Sequence, residues 1–385
     1  MTVRVLQSFP HKIGAARICM TAWYQAAGVC DAGGEVTVLT GAVHRPLPSA
    51  IDVRTTLSRG RWRIPYRAIG TLRALKLHDL IVARSLPRLV GKVDLVHVWP
   101  LAAERTLRAA RRLGIPTVLE RPNAHTRFAY EVVARECERL GVTLPPDHEH
   151  AYNEERLRRE EEEYLLADYL LCPSEFVVKT FLDHGHPDGK LVRHTYGFDE
   201  RSFHPAHDRS PRREGLEALF VGVCAVRKGL HFALEAWLRS PASKTGRFRI
   251  AGEFVPEYER RLSHLLAHPS VEVLGHRDDV PDLMRQADVM LLPSIEEGFG
   301  LTCVEAMGSG CVPLVSDACT DVCQSGKNSL VHAVGDVDAI TDHLTMLDAD
   351  RGRLAELRAD CLLTAPQHTW TQAGRRLLDA YASVL

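Results

Sequence analysis

The sequence predicts an α/β protein made of two doubly wound domains that face each other across a cleft. Three observations carry this. Short β-type runs alternate with helical stretches along nearly the whole chain, the pattern of βαβ units and a parallel sheet. One polar stretch, FDERSFHPAHDRSPRREG (198–215), breaks the alternation with Pro205, Pro211 and Gly215 and no apolar period, so it reads as a linker; after it the alternation restarts. The 385 residues are enough for two core-forming domains.

The elements follow in order. VRVLQSF (3–9) is the first strand, and HKIGAAR (11–17) a glycine turn before the apolar helical stretch ICMTAWYQAAGV (18–29). EVTVLTG (35–41) and DLVHVWP (94–100) are strands; His97, inside an apolar run, is expected to be a satisfied core histidine. The basic helix ERTLRAARRLG (104–114) ends at a glycine, and the strand IPTVLE (115–120) leads into a loop with Glu120, Asn123 and His125, a polar cluster at a sheet edge. NEERLRREEEEY (153–164) reads as a solvated acidic helix with i,i+4 pairs. YLLCPS (169–174) is a strand and EFVVKTFLDHG (175–185) a helix closed by glycine. Beyond the linker, LFVGV (219–223), RFRIAG (247–252), VEVLG (271–275), VMLLPS (289–294) and VPLVSD (312–317) are strands. HTWTQAGRRLLDAYASVL (368–385) is one amphipathic helix, with Trp370, Ala373, Leu377 and Tyr381 on a shared face. The domains are therefore placed at 1–200 and 201–367, with 368–385 as a terminal helix.

Composition narrows the function classes. The formal net charge is -1, so no whole-protein field argues for nucleic acid. The N-terminus has no signal-peptide core, and no apolar run reaches the length of a membrane span. The ten cysteines include no CxxC pair; Cys319 and Cys323 have Asp317 and Asp321 beside them, but reduced buried thiols in a cytoplasmic protein are the preferred reading over a metal or disulfide site. Residues 57–92 carry nine basic side chains against Asp79 alone, with Trp62, Tyr66, Leu72, Leu75, Leu80 and Ile81 interleaved. Two readings stand open for them: a peripheral contact with an anionic membrane, on the inner face, or a solvated surface over an ordinary buried stripe.

The chemistry concentrates in EEGFGLTCVEAMGSGCVPLVSDA (296–318). It follows a strand, so it lies at the carboxyl end of a sheet, where ligands bind in doubly wound folds. Gly298 and Gly300 permit close backbone approach, and a helix beginning near Leu301 offers unpaired N–H groups to an anion such as a pyrophosphate. Carboxylates repel phosphate but accept hydrogen bonds from hydroxyls, so Glu297 and Glu305 on either side of that helix start suit two sugars flanking a diphosphate, the layout of a nucleotide sugar. Arg227 and Lys228, in the turn after the second domain's first strand, supply positive charge for the diphosphate. Gly14 marks a similar turn in the first domain. GDVDAI (335–340) contains an Asp-x-Asp, but Asp336 and Asp338 stand at a helix start and are read as caps, so no metal is expected.

These stretches resemble the E-x7-E glycosyltransferases of the GT-B fold, the retaining GT4-type group. The resemblance runs through 167–185, 194–205, 219–237, 271–294 and 368–381 in the family's order. It implies transfer of a hexose-type sugar from a nucleoside-diphosphate sugar to an acceptor hydroxyl on a glycan, glycolipid or small glycoside, without metal or other cofactor. It implies that the first domain binds acceptor, the second binds donor, and the last helix crosses back to the first. It further implies that Glu305 holds the ribose and Glu297 the donor sugar near the reacting carbon. The amides of Phe299, Gly300 and Leu301 would meet sugar and diphosphate, and Arg227 and Lys228 would neutralise the latter. His276 and Arg277 would flank the base, His125 would contact the donor sugar, and Gly14 would lie near the phosphates. The chain departs from the family where Ala15 and Ala16 follow Gly14, where Val223 replaces an arginine, and where Asn328-Ser329 replaces an Asn-Gly. A nucleotide-sugar 2-epimerase or phosphorylase of the same fold, or a sugar-nucleotide-binding protein without turnover, are the rival classes.

Overall fold

A computed structural model describes residues 2–59, 62–63, 70–206 and 215–385. In chain order the strands are β1 (Arg4–Ile13), β2 (Glu35–Val43), β3 (Asp52–Thr55), the two-residue hairpin strands β4 (Ser58–Arg59) and β5 (Trp62–Arg63), β6 (Leu95–Val98), β7 (Thr117–Glu120), β8 (Tyr169–Cys172) and β9 (Leu191–Arg193). Past the linker come β10 (Glu217–Val221), β11 (Arg247–Ala251), β12 (Val271–Gly275), β13 (Val289–Leu292), β14 (Val312–Ser316) and β15 (Leu330–His332). They form two sheets, of order β3-β2-β1-β6-β7-β8-β9 and β12-β11-β10-β13-β14-β15. Every pairing within these two sheets is parallel. Central strands such as LVHV, TVLE and VMLL are buried at every residue, as strands covered by helices on both faces must be. The result is two Rossmann-like domains facing each other.

Some elements differ from the sequence expectation. β1 does not stop at Phe9. A register shift between Phe9 and Lys12 lets it continue to Ile13, so His11-Lys12-Ile13 is strand rather than turn. The edge strands β3 and β9 and the three-residue β15 carry too little apolar periodicity to announce themselves.

The acidic helix, Glu154–Leu166, is not simply solvated: Leu157, Arg159, Glu160, Glu163 and Tyr164 are buried. Glu160 meets Arg121 at 3.1 Å and Arg156 at 3.0 Å, and Glu163 accepts the backbone N–H groups of Leu101 (2.6 Å) and Ala103 (2.9 Å). Glu160 is held charged inside by Arg121 and Arg156, while burial lifts the Glu163 carboxyl to about 8; partners from other segments are what a one-dimensional reading of i,i+4 pairs cannot see.

Glu120 is likewise not in a loop at a sheet edge. It ends β7 in the interior, accepting from Gln25 Nε2 (2.8 Å) and the Tyr196 hydroxyl (2.8 Å), with His194 Nε2 at 3.0 Å. His97 is buried, its Nδ1 2.7 Å from the Tyr381 hydroxyl. Tyr381 belongs to the terminal helix Trp370–Ser383, which packs along Ile18–Asp31; Leu377, Ala380 and Tyr381 join the first domain's core.

Part of 57–92 lies outside the described residues. Within it, helix Thr71–Ser85 buries Ala74, Leu75, His78, Asp79 and Val82, while Arg73, Arg84, Arg88 and Lys92 stay exposed. Among the described residues, no helix is long and apolar enough to cross a membrane. Asp336 caps its helix by accepting the Ala339 N–H at 2.9 Å, and Asp338 pairs with Arg239. Among the described residues no group of three or more His, Cys, Asp or Glu is arranged to hold a metal.

Candidate active site

Strand order reverses between β10 and β13, and the segments leaving their carboxyl ends meet there. After β10 the turn Val226–Lys228 presents its two cations; after β13 the loop 293–300 presents two carboxylates. The loops are knitted by backbone. Ile295 N donates to Arg227 O at 2.9 Å, and Gly229 passes so close to Pro293 that a Cβ would lie 1.9 Å from its carbonyl oxygen.

The side chains form a compact ionic cluster. Glu297 is ion-paired with Lys228 Nζ through Oε2, and its Oε1 lies 3.4 Å from Arg227 Nη1. Burial opposes its charge, but Lys228 and Arg227 outweigh that and pull the carboxyl down to about 2. Arg227 donates through Nη1 to the backbone carbonyl of Glu296 at 2.8 Å, and the same nitrogen lies 3.4 Å from the Glu296 carboxylate.

Glu296, which sequence reading passed over, is fully buried and faces the other way as well. Its Oε1 accepts the Ala124 N–H at 3.1 Å, and its Oε2 is 3.4 Å from His150 Nε2, both partners lying in the first domain. The doubled glutamate at 296–297 was the visible sign of it. Nothing in the spacing around His150 announced that partner.

Helix Leu301–Gly308 starts at Gly300, whose φ of 71° places it in the left-handed region, and no side chain caps it. Its first amides are therefore left for an anion. Glu305 lies one turn in, partly covered, and burial lifts its carboxyl to about 7. Phe299 points inward, edge-on to Tyr196 with ring centroids 5.6 Å apart, so its amide rather than its ring is left to meet a ligand.

The other predicted residues make contacts outside the ionic cluster. Gly298 approaches the first domain rather than open space: a Cβ would fall 1.7 Å from Pro122 O, and its carbonyl accepts Ser174 Oγ at 2.6 Å. Gly14 approaches Arg45, 2.5 Å from a Cβ to that side chain. The His125 ring is buried, stacked on His184 at 4.1 Å and edge-on to Phe181 and Tyr164. Burial, then His184 and Arg121, hold it down to about 2, a neutral ring. What reaches the carboxylates is its loop, through the Ala124 amide, and not the imidazole. His276 and Arg277 are exposed beyond edge strand β12, facing Asp278 and Asp279, and no described contact joins them to the cluster. A further link between domains is Asp321, which accepts from Glu175 N (2.8 Å) and Arg193 Nη2 (2.9 Å).

Comparison with known proteins agrees with this architecture. Residues 216–350 match the family model "Glycosyl transferases group 1". The chain is 36% identical over 388 residues to a D-inositol 3-phosphate glycosyltransferase of Xylanimonas cellulosilytica, covering 91% of this chain and 87% of that protein. It is 27% identical to the lipopolysaccharide core biosynthesis mannosyltransferase LpsB of Rhizobium meliloti, over 49% of this chain and 60% of that one. Its fold matches the Anabaena protein HepE, solved in complex with UDP-glucose, with a TM-score of 0.66 at 16% identity, over 99% of this chain and 100% of that one.

Proposed function

The chain belongs to the group 1 glycosyl transferases, enzymes of the GT-B fold, and from that premise we propose that it is a GT4-type, retaining hexosyltransferase using a nucleoside-diphosphate sugar. The observation that carries this is the pairing of Glu297 with Lys228 and Arg227 beside an uncapped helix start at the strand-order reversal. The diphosphate lies against the amides at Gly300 and Leu301. Arg227 and Lys228 balance the charge that grows on it as the bond from the anomeric carbon to the phosphate oxygen breaks. Glu297 accepts hydrogen bonds from the donor sugar, and Glu305 from the ribose. The acceptor hydroxyl attacks the anomeric carbon from the side the diphosphate leaves. Its proton passes to a donor phosphate oxygen, so neither a metal nor a dedicated protein base is required. That HepE was solved with UDP-glucose supports testing uridine donors first.

The test is nucleotide release and acceptor glycosylation with UDP, GDP, ADP and dTDP sugars. Glu297→Ala and Lys228→Ala are each expected to lower kcat by roughly 100-fold or more, the range for removing one preorganised charge-stabilising group. Full turnover by either variant would remove this site assignment. The exposed Arg73, Arg84, Arg88 and Lys92 fit an acceptor carried on an anionic membrane. Sedimentation with phosphatidylglycerol vesicles but not phosphatidylcholine vesicles at low salt is the expected result; equal binding to both would discard the membrane reading.

A further inference from the structure

Glu296 is the buried carboxylate that the proposed chemistry leaves unused. Its position is costly. It sits next to Glu297 in sequence and in space, and each carboxylate opposes the other's charge. Glu297 has a cation of its own in Lys228. Yet Glu296 is kept charged in the interior by three partners: Arg227, the Ala124 amide and His150. Arg227 comes from the donor domain, and the other two from the first domain.

Arg227 is held in a particular way. Its described side-chain hydrogen bonds and ion pairs run through Nη1, to the Glu296 carbonyl at 2.8 Å and to the two carboxylates at 3.4 Å, with the Glu149 charge acting on it as well. A guanidinium is a rigid planar fork with five N–H donors. Anchoring one corner fixes the plane and leaves the opposite edge for phosphate oxygens. The anchor is braced from the first domain by the Ala124 N–H and by His150, and Gly298 packs closely on Pro122 in the same loop as Ala124.

We infer that Glu296 is a positioning residue: it orients Arg227 toward the leaving diphosphate, braced from the first domain by the Ala124 amide and His150. This rests on the reading of Arg227 as a diphosphate cation. Glu296 touches no substrate and acts through Arg227.

The test is a double-mutant cycle between Glu296→Gln and Arg227→Ala in the full chain. Glutamine keeps an acceptor for the Ala124 amide and removes the charge that grips the guanidinium. The substrate is whichever of UDP-glucose, UDP-N-acetylglucosamine, GDP-mannose and ADP-glucose the unmodified chain cleaves fastest, read as nucleoside diphosphate released. In the unmodified background Glu296→Gln should lower kcat about tenfold, with KM for the donor changed less than about threefold, because the lost interaction matters as leaving-group charge develops. In the Arg227→Ala background it should cost less than about twofold, since residues acting as a unit are not additive. Glu296→Asp, which keeps the charge on a shorter arm, should recover part of the rate.

Equal losses in both backgrounds, with a matching fall in melting temperature, would make Glu296 a structural residue and overturn the inference while the glycosyltransferase site stands. No release from any donor by the unmodified chain would overturn the site assignment and the inference together.

Discussion

Glu305 shows how far burial alone can move one side chain. Burial alone raises its carboxyl to about 7, against an ordinary value of 4.5. Below about pH 7 it carries a proton and would offer the proposed ribose partner fewer acceptor sites; above, it is an ionised acceptor. Nucleotide affinity, measured by calorimetry, is therefore expected to fall as pH drops from 8 to 6, and Glu305→Gln to flatten that dependence. The stability sign is fixed by the same shift. The folded chain binds this proton more tightly than the unfolded chain, so the group favours folding below 4.5 and loses that contribution as pH rises through about 7. Denaturant titrations should find Glu305→Gln more favourable relative to the parent chain at pH 8 than at pH 5. Glu297 is the opposite case: two cations hold its carboxyl near 2, so its charge is constant over the same range. Of the two glutamates that the sequence presents as a symmetric pair, one is a fixed charge and the other titrates near neutrality. Only their surroundings separate them.

At the scale of elements, the site is a junction of two loops, and its rigidity comes from backbone packing. Gly229 has a φ of 66°, and a Cβ there would meet Pro293 O at 1.9 Å. Gly229→Ala should cost about 2–4 kcal/mol, combining left-handed strain with overpacking, and should reduce activity by displacing Arg227 and Lys228. Chemical denaturation and steady-state kinetics check both. The strand–turn–helix pattern made these loops legible: VMLLPS and LFVGV are apolar runs, and the glycines and charges follow each of them. The acidic helix Glu154–Leu166 was not legible in the same way. Its charge pattern is that of a solvated face, and only its contacts with Arg121 and the backbone at Leu101 and Ala103 bury it. His125 is similar. Its place after a strand is visible in sequence, but the stack on His184, more than fifty residues away in the chain, turns its ring inward.

At the scale of the whole molecule, the terminal helix and the interdomain contacts bind the two sheets into one unit. Trp370, Leu377 and Tyr381 are buried, and Tyr381 also meets His97. Burial of three such side chains is worth about 5–8 kcal/mol, comparable to the stability of a typical domain. A chain ending at residue 367 is therefore expected to lose cooperative unfolding or to aggregate, as seen by circular dichroism and size exclusion; a truncated chain with an unchanged melting curve would show that the helix contributes little. Across the cleft, Glu296 with Ala124 and His150, Gly298 with Ser174, and Asp321 with Arg193 join loops of both domains near the site. The sequence by itself determined the fold class, the strand-end position of 296–305 and the nearby cations, because periodicity and turn chemistry are local. The tertiary structure decided which carboxylate is clamped, which way His125 faces and that Glu296 bridges the domains, because burial and pairing depend on residues far apart in the chain.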